Sequence, residues 1–89
     1  MINMKTISRQ ITREETLKQR LSDILLDVSW AKISKRYFGK SSSWMYHRLN
    51  GIDENGNKTD ISYSERLQLR NALLDFSERI RKAAESIEI

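Results

Sequence analysis

The sequence predicts a small all-α domain of four or five helices, with two short helices in its centre and a long helix at its C-terminus. There is no proline among the 89 residues, and the three glycines stand at positions 39, 51 and 56. Long stretches on either side of these glycines therefore lack the residues that break helices. In both stretches apolar residues recur at steps of three and four, which is the period of an amphipathic helix. We expect residues 1–89 to form one helical domain.

The first helix is predicted over about residues 13–28. Thr12 and Glu15 have the spacing of a capping box, in which each side chain accepts a backbone N–H of the other residue. Residues 1–11 show no clear period, so they either pack back on the core or fray. An apolar stripe along the predicted helix comprises Leu17, Leu21, Ile24 and Val28.

The most regular helical pattern lies over about residues 62–87. It begins with a second capping box, Ser62 to Glu65, and we expect its first half to cover the body of the domain. After Ile80 the stripe thins, so the end of the helix is expected to project or to meet a second copy in a homodimer. The apolar positions are Leu69, Leu73, Phe76, Ile80, Ala83 and Ile87.

Positive charge is concentrated in the middle of the chain. The formal net charge is +4, and no acidic residue lies between Val28 and Ile52. Because the rest of the chain is close to neutral, this window would attract a polyanion such as nucleic acid. The alternative is a chance gap between acidic residues, with a surface that is merely solubilising. The cations in the window are Lys32, Lys35, Arg36, Lys40 and Arg48.

The same window has the outline of a helix-turn-helix over about residues 30–51. A short helix over 30–38 would end at Gly39, because glycine readily adopts the left-handed conformation that reverses the chain. The three serines that follow are suited to capping a second helix, which would end at Gly51. The side chains expected to be buried by the first helix are Trp30, Ile33, Tyr37 and Phe38.

On the second helix Met45 and Leu49 are four residues apart and are expected to share the buried side. The opposite side is polar and suits a DNA groove, since arginine can pair with guanine, asparagine with adenine, and hydroxyl groups with phosphate. We therefore expect a DNA-binding protein, such as a transcriptional regulator. Its predicted DNA-binding residues are Lys32, Lys35, Arg36, Lys40, Ser41, Ser42, Ser43, Tyr46, His47, Arg48 and Asn50.

The stretch WAKISKRYFGKSSSWMYHRLNG, residues 30–51, resembles the helix-turn-helix of the lambda repressor and Cro-like family. It differs in two ways: the first helix is one residue longer before the glycine, and Ser34 replaces a small apolar residue. The resemblance implies a helical DNA-binding domain that presents Ser42, Ser43, Tyr46, His47 and Asn50 to the groove. The matching positions are the pair Ile33-Ser34, the turn residue Gly39, the buried Met45 and Leu49, and the closing pair Asn50-Gly51.

Most of the chain is also similar to a group of short bacterial proteins of unassigned function. The similarity is carried by residues 29–51 and by the tail LLDFSERIRKAA, residues 73–84. It implies a common fold and supplies no activity.

The segment over 52–61 is expected to be a solvated loop or a very small hairpin. Asn55-Gly56 favours a two-residue type I′ turn. Such a turn would pair Glu54 with Asn57 and Asp53 with Lys58.

Several classes of site are excluded by residue types. There is no cysteine and only one histidine, so disulfides, thiolate sites and all-imidazole sites are impossible, and the acidic residues of 53–64 lack calcium-loop spacing. His47 with Ser43, and Asp23 with Asp27, make no catalytic constellation. We expect no enzyme, no cofactor, no metal, no membrane span and a cytoplasmic location. The alternative function is a protein-interaction module that uses the aromatic middle segment or the last helix.

Overall fold

A computed structural model describes residues 16–89, and the all-α class predicted from the sequence is confirmed there. A π-helical turn over Ser34–Phe38 continues directly from the second of the four described helices, and one isolated antiparallel bridge joins Ile52 to Lys58. No described helix combines the length and the apolar character needed to cross a bilayer. The helices are α1 (Leu17–Arg20), α2 (Trp30–Ile33), α3 (Ser42–Asn50) and α4 (Tyr63–Glu85).

The prediction of one continuous helix over 13–28 is wrong. Thr16 has an extended backbone and caps α1, with its hydroxyl accepting the Gln19 N–H at 3.2 Å. After Arg20 the chain continues to residue 27 as successive turns, with bonds between residues three apart. The indole N–H of Trp30 donates to the Leu25 carbonyl at 2.8 Å, which connects these turns to α2. The predicted Thr12–Glu15 box and residues 1–11 lie outside the described residues.

The apolar stripe of this segment nevertheless faces the core. Leu17, Leu21, Ile24 and Val28 are each half-buried against it, because the turns keep the same side of the chain inward. The predicted burial of Met45 and Leu49 is confirmed, as is that of Trp30 and Ile33, whereas Tyr37 and Phe38 are only half-buried. The buried cluster comprises Trp30, Ile33, Met45, Leu49 and Leu69.

Helix α4 begins as predicted. The Ser62 hydroxyl accepts the Glu65 N–H at 3.1 Å, and the Glu65 carboxylate accepts the Ser62 N–H at 3.2 Å. The helix has 23 residues, which corresponds to roughly 34 Å. Leu69 and Ala72 are buried against the body, and every residue from 77 to 89 is exposed. Helix α4 therefore continues for about two and a half turns beyond the core, to Glu85.

The predicted pairing in the 52–61 segment is wrong by one residue. The Asp53 N–H donates a hydrogen bond to the Asn57 carbonyl at 2.8 Å, so the loop between these two residues has three residues. Gly56, with φ +84°, follows the turn as a bulge residue instead of forming its centre. Oδ1 of Asp53 accepts the N–H groups of Asn57 and Asn55, both at 2.9 Å, and these bonds lower the pKa of the Asp53 carboxyl.

Candidate nucleic-acid interface

Two glycines in the left-handed conformation end the two helical pieces of the middle segment, residues 30–51. Gly39 has φ +63° at the end of the π-helical turn, and Gly51 has φ +73° at the end of α3. Between them Ser41 caps α3, its hydroxyl accepting the Trp44 N–H at 3.1 Å. The chain thus forms two short helical pieces joined by a glycine turn, with residue boundaries close to those that the sequence predicted.

Ser34 fixes the turn between these two pieces. Its side chain is fully buried, and its hydroxyl points at two carbonyl oxygens, that of Ser41 at 2.7 Å and that of Lys40 at 3.1 Å. The Lys40 N–H in turn donates to the Ser34 carbonyl at 3.2 Å. A small apolar residue at position 34 would permit the same close packing but would supply no donor to the turn. The sequence indicated that a serine is unusual at position 34 but did not predict that its hydroxyl would bind these two carbonyl oxygens.

The π-helical turn over Ser34–Phe38 forms the second half of the first helical piece, residues 30–38. A π-turn holds one more residue than an α-turn within the same advance along the axis. The turn over residues 34–38 therefore widens the helix locally just before Gly39. Gly39 remains free to reverse the chain, and α3 still begins two residues after Lys40.

The cations before α3 are all exposed. Lys32, Lys35, Arg36 and Lys40 form no ion pair with any carboxylate in residues 16–89. Lys40 stands 5.8 Å from the centre of the Trp44 ring, and Arg36 stands 5.9 Å from that of Tyr37. This part of the surface consequently keeps its positive charge available for an anionic partner.

One side of α3 is polar and open to solvent. Ser42, Ser43, Tyr46 and Asn50 are exposed, with 46% of Tyr46 accessible, and the opposite positions Met45 and Leu49 are buried as the helical period requires. The side chains of these four exposed residues donate or accept no hydrogen bond within residues 16–89. They remain available to an external partner.

Three of the predicted DNA-binding residues have other surroundings. The Ser41 hydroxyl is used by the helix cap. His47 is half-buried, and its Nδ1 is enclosed without a hydrogen-bond partner among the described residues. Arg48 lies over the Trp44 ring at 5.1 Å, and its Nε is 3.4 Å from Oε1 of Glu65, an ionic contact without hydrogen-bond alignment. Arg48 therefore connects α3 to the start of α4.

The sequence profile of a family described as a domain of unknown function, DUF5053, matches residues 17–87. The chain belongs to this family. The match begins at the first residue of α1 and extends past the last residue of α4, so the DUF5053 region includes all the described helices. Comparisons with curated proteins and with solved structures gave no match. The predicted membership of a family of unassigned function is confirmed.

A polar cluster that the sequence did not reveal fastens the middle segment of this DUF5053 domain to α4. The Tyr37 hydroxyl donates to the Asp75 carboxylate and accepts a hydrogen bond from Nη1 of Arg79 at 3.0 Å. Nε2 of Gln68 donates to the Tyr37 carbonyl at 2.9 Å. The partners are 31 to 42 positions away in the chain, so no local pattern signals them. The cluster fixes the π-helical turn relative to α4.

The carboxylate and histidine groups of the DUF5053 domain are dispersed. Asp23 and Asp27 are exposed on the turns after α1, and Ser43 is exposed on α3. Residues 16–89 contain no group of three or more histidine, aspartate or glutamate side chains placed to hold a metal ion. An open cleft of about 580 Å³ lies beside the end of α3, and Arg48, Asn50 and Lys58 are among the residues that line it.

Proposed function

We propose that this DUF5053 domain binds duplex DNA and that residues 30–51 act as a helix-turn-helix. In this proposal α3 enters a groove, and its exposed residues Ser42, Ser43, Tyr46 and Asn50 contact base edges and nearby phosphates. The cations that hold the flanking phosphates are Lys32, Lys35, Arg36 and Lys40.

The observation that carries the proposal is a polar helix face without internal side-chain hydrogen bonds that directly follows a segment with four cations unpaired within residues 16–89. Lys40 immediately precedes Ser41, the cap of α3, and it also contacts the Trp44 ring on that helix. Positive charge therefore extends to the edge of the exposed face. A DNA-binding surface needs such a combination, because phosphate contacts supply most of the affinity and base contacts supply the specificity.

The surroundings of three side chains refine their proposed roles. Ser41 holds the start of α3, and Arg48 anchors α3 to Glu65, so both position the helix. His47 is half-buried and contacts the DNA only at its accessible edge. Sequence readout then depends chiefly on Tyr46 and Asn50, the two larger polar side chains on the open face.

The two departures from the lambda repressor and Cro-like pattern are compatible with this proposal. The additional residue of the first piece is taken up by the π-helical turn, and the Ser34 hydroxyl secures the glycine turn from inside. Neither feature obstructs the open side of α3. Both features are therefore compatible with a helix-turn-helix.

The structure supports a protein-interaction role for the aromatic middle segment less well. Trp30 is buried, Tyr37 is bonded to α4, and Trp44 is half-buried against Phe38 at a ring distance of 5.1 Å. Of the four large aromatic residues between positions 30 and 46 that this alternative would use, only Tyr46 is exposed. One accessible tyrosine is a small anchor compared with the aromatic clusters of protein interfaces.

Fluorescence anisotropy with a labelled random duplex tests the proposal. The variant Lys35→Ala/Arg36→Ala should weaken binding and reduce the slope of log affinity against log salt by about two, since each phosphate contact contributes roughly one unit. Arg70→Ala/Lys82→Ala is the matched control, because it also removes two exposed, unpaired cations but from α4. Equal losses in the two variants, or no binding by the wild type at low salt, would contradict the proposal.

A second measurement addresses the groove. Tyr46→Ala and Asn50→Ala should retain the helical circular dichroism spectrum, because both residues are exposed and unbonded within the described residues. Against a pool of random duplexes the wild type should enrich a preferred sequence, and these variants should lose that preference while keeping the salt dependence. Unchanged enrichment by both variants would place the readout elsewhere.

A further inference from the structure

The open cleft beside the end of α3 has a lining that is partly apolar and partly polar. It lies between the start of α1, the end of α3 and the segment over 52–61. Its volume of about 580 Å³ is within the range of pockets that hold small molecules. The apolar lining is formed by Leu17, Ile52 and Ile61. The polar lining includes Arg48, Asn50, Lys58, Thr59 and Asp60.

The Arg48 guanidinium belongs to this lining and has no hydrogen-bonded acceptor in the described part of the chain. Only 19% of its side chain is exposed. Nε is enclosed without a partner, and no other nitrogen of the side chain donates a hydrogen bond within residues 16–89. A largely buried group with five N–H donors gains most from an acceptor that can reach it. The guanidinium therefore points to a ligand that carries an oxyanion.

The guanidinium is also held in place before any ligand arrives. Its carbon lies 5.1 Å from the centre of the Trp44 ring, and Oε1 of Glu65 is 3.4 Å from Nε. Because Glu65 faces Nε, the two Nη groups are left to bind a carboxylate through parallel hydrogen bonds. A side chain that is already fixed loses little conformational freedom when it binds.

The charges around the cleft favour a ligand with a single negative charge. Lys58 is exposed and forms no ion pair within residues 16–89, so its ammonium group can approach the same anion. Two carboxylates oppose the two cations, since Asp60 also lines the cleft and Glu65 offsets part of the charge of Arg48. The general attraction for a dianion is therefore weak, and binding depends on directed hydrogen bonds from Arg48.

We propose that this cleft binds a small monocarboxylate with a compact apolar body. The carboxylate accepts paired hydrogen bonds from the Nη groups of Arg48, and the ammonium group of Lys58 adds a second positive charge beside it. The apolar body of the ligand packs against Leu17, Ile52 and Ile61. Both parts of the lining are then used by one molecule.

Titration of the isotope-labelled full chain with benzoate, followed by amide NMR spectra without DNA, tests the proposal. Benzoate should shift the amide resonances of Gly51, Ile52 and Thr59 at millimolar concentration, as expected for so small a ligand. Benzamide has the same ring but no charge, and it should bind about tenfold more weakly because it offers only one oxygen to the guanidinium. Phenyl phosphate, a dianion, should bind no more tightly than benzoate.

Two variants test the cations of the cleft. Arg48→Lys keeps a positive charge beside Glu65 but removes the paired donors, so it should weaken benzoate binding about tenfold. Lys58→Gln changes an exposed side chain without an ion pair in the described residues, so it should fold normally and weaken binding about twofold to fivefold. Lys58→Gln therefore decides the result if Arg48→Lys fails to fold. Lys82→Gln is the matched control, because it removes an exposed cation on α4 that does not line the cleft.

Several outcomes would overturn the proposal. These are the absence of benzoate-induced shifts at the cleft, equal affinity for benzamide, tighter binding of phenyl phosphate, and equal affinity of Lys58→Gln and Lys82→Gln for benzoate. Because no DNA is present, each of these results is independent of the proposed DNA binding.

Discussion

The middle segment, residues 30–51, and the projecting end of α4, residues 77–85, show the same sequence signal with opposite outcomes. In both, apolar residues recur at steps of three and four, and both are helical. In the middle segment Met45 and Leu49 are enclosed by other elements, whereas Ile80 on the projecting end faces solvent. The period of a helix thus identifies its apolar side but does not reveal what covers that side. The following predictions test this contrast with single substitutions to alanine.

The largest effect is expected in the middle segment, from Leu49→Ala. Leu49 is buried in the central cluster together with Met45 and Trp30. Its truncation should lower the free energy of unfolding by about 2–5 kcal/mol, through lost burial and the cavity that remains. Urea unfolding followed by circular dichroism measures this quantity. A change near zero would show that α3 is not part of the cooperative core.

An intermediate effect is expected from Ser34→Ala, which tests whether the middle segment is also fixed by polar contacts. The hydroxyl is fully buried against the Lys40 and Ser41 carbonyls. Its removal leaves both acceptors without this donor and should cost about 1–3 kcal/mol. Ser43→Ala is the control, since Ser43 is exposed and makes no hydrogen bond with its side chain in the described residues. If both variants unfold at the same urea concentration, the Ser34 contact contributes nothing to stability.

The smallest effect is expected on the projecting end, from Ile80→Ala. With half of the side chain in water, truncation should change the unfolding free energy by less than about 0.5 kcal/mol at concentrations where the chain is monomeric. The same urea titration measures this change. A large loss at low concentration would mean that Ile80 packs within its own chain.

Local signals in the sequence predicted the start of α4 and the ends of the two middle helical pieces. The Ser62–Glu65 box starts α4, and the glycines at 39 and 51 end the two middle pieces in the left-handed conformation. The burial of Met45 and Leu49 also followed from the helical period. These features depend on residues within about four positions of each other, so one sequence contains the information for them.

Features that depend on distant residues were not predictable in this way. The helix expected over 13–28 gives way to turns after Arg20, in a stretch whose apolar side packs against the central cluster. The contact of Arg48 with Glu65 and the bonds of Tyr37 to α4 likewise join separate parts of the chain. For the candidate site, the exposed cations and the open side of α3 agree with the sequence expectation, whereas the position of Arg48 required the three-dimensional structure.

The π-helical turn has a consequence for the evolution of these chains. A π-helical turn holds one residue more than an α-helical turn over the same advance along the axis, and here that residue is held inside a helix, between Ser34 and Phe38. A relative that lacks it would keep the glycine reversal and the start of the following helix and would differ only in local helical pitch. Alignments of such relatives should therefore place the gap among residues 34–38, because a gap beside Gly39 would equate residues that point in different directions.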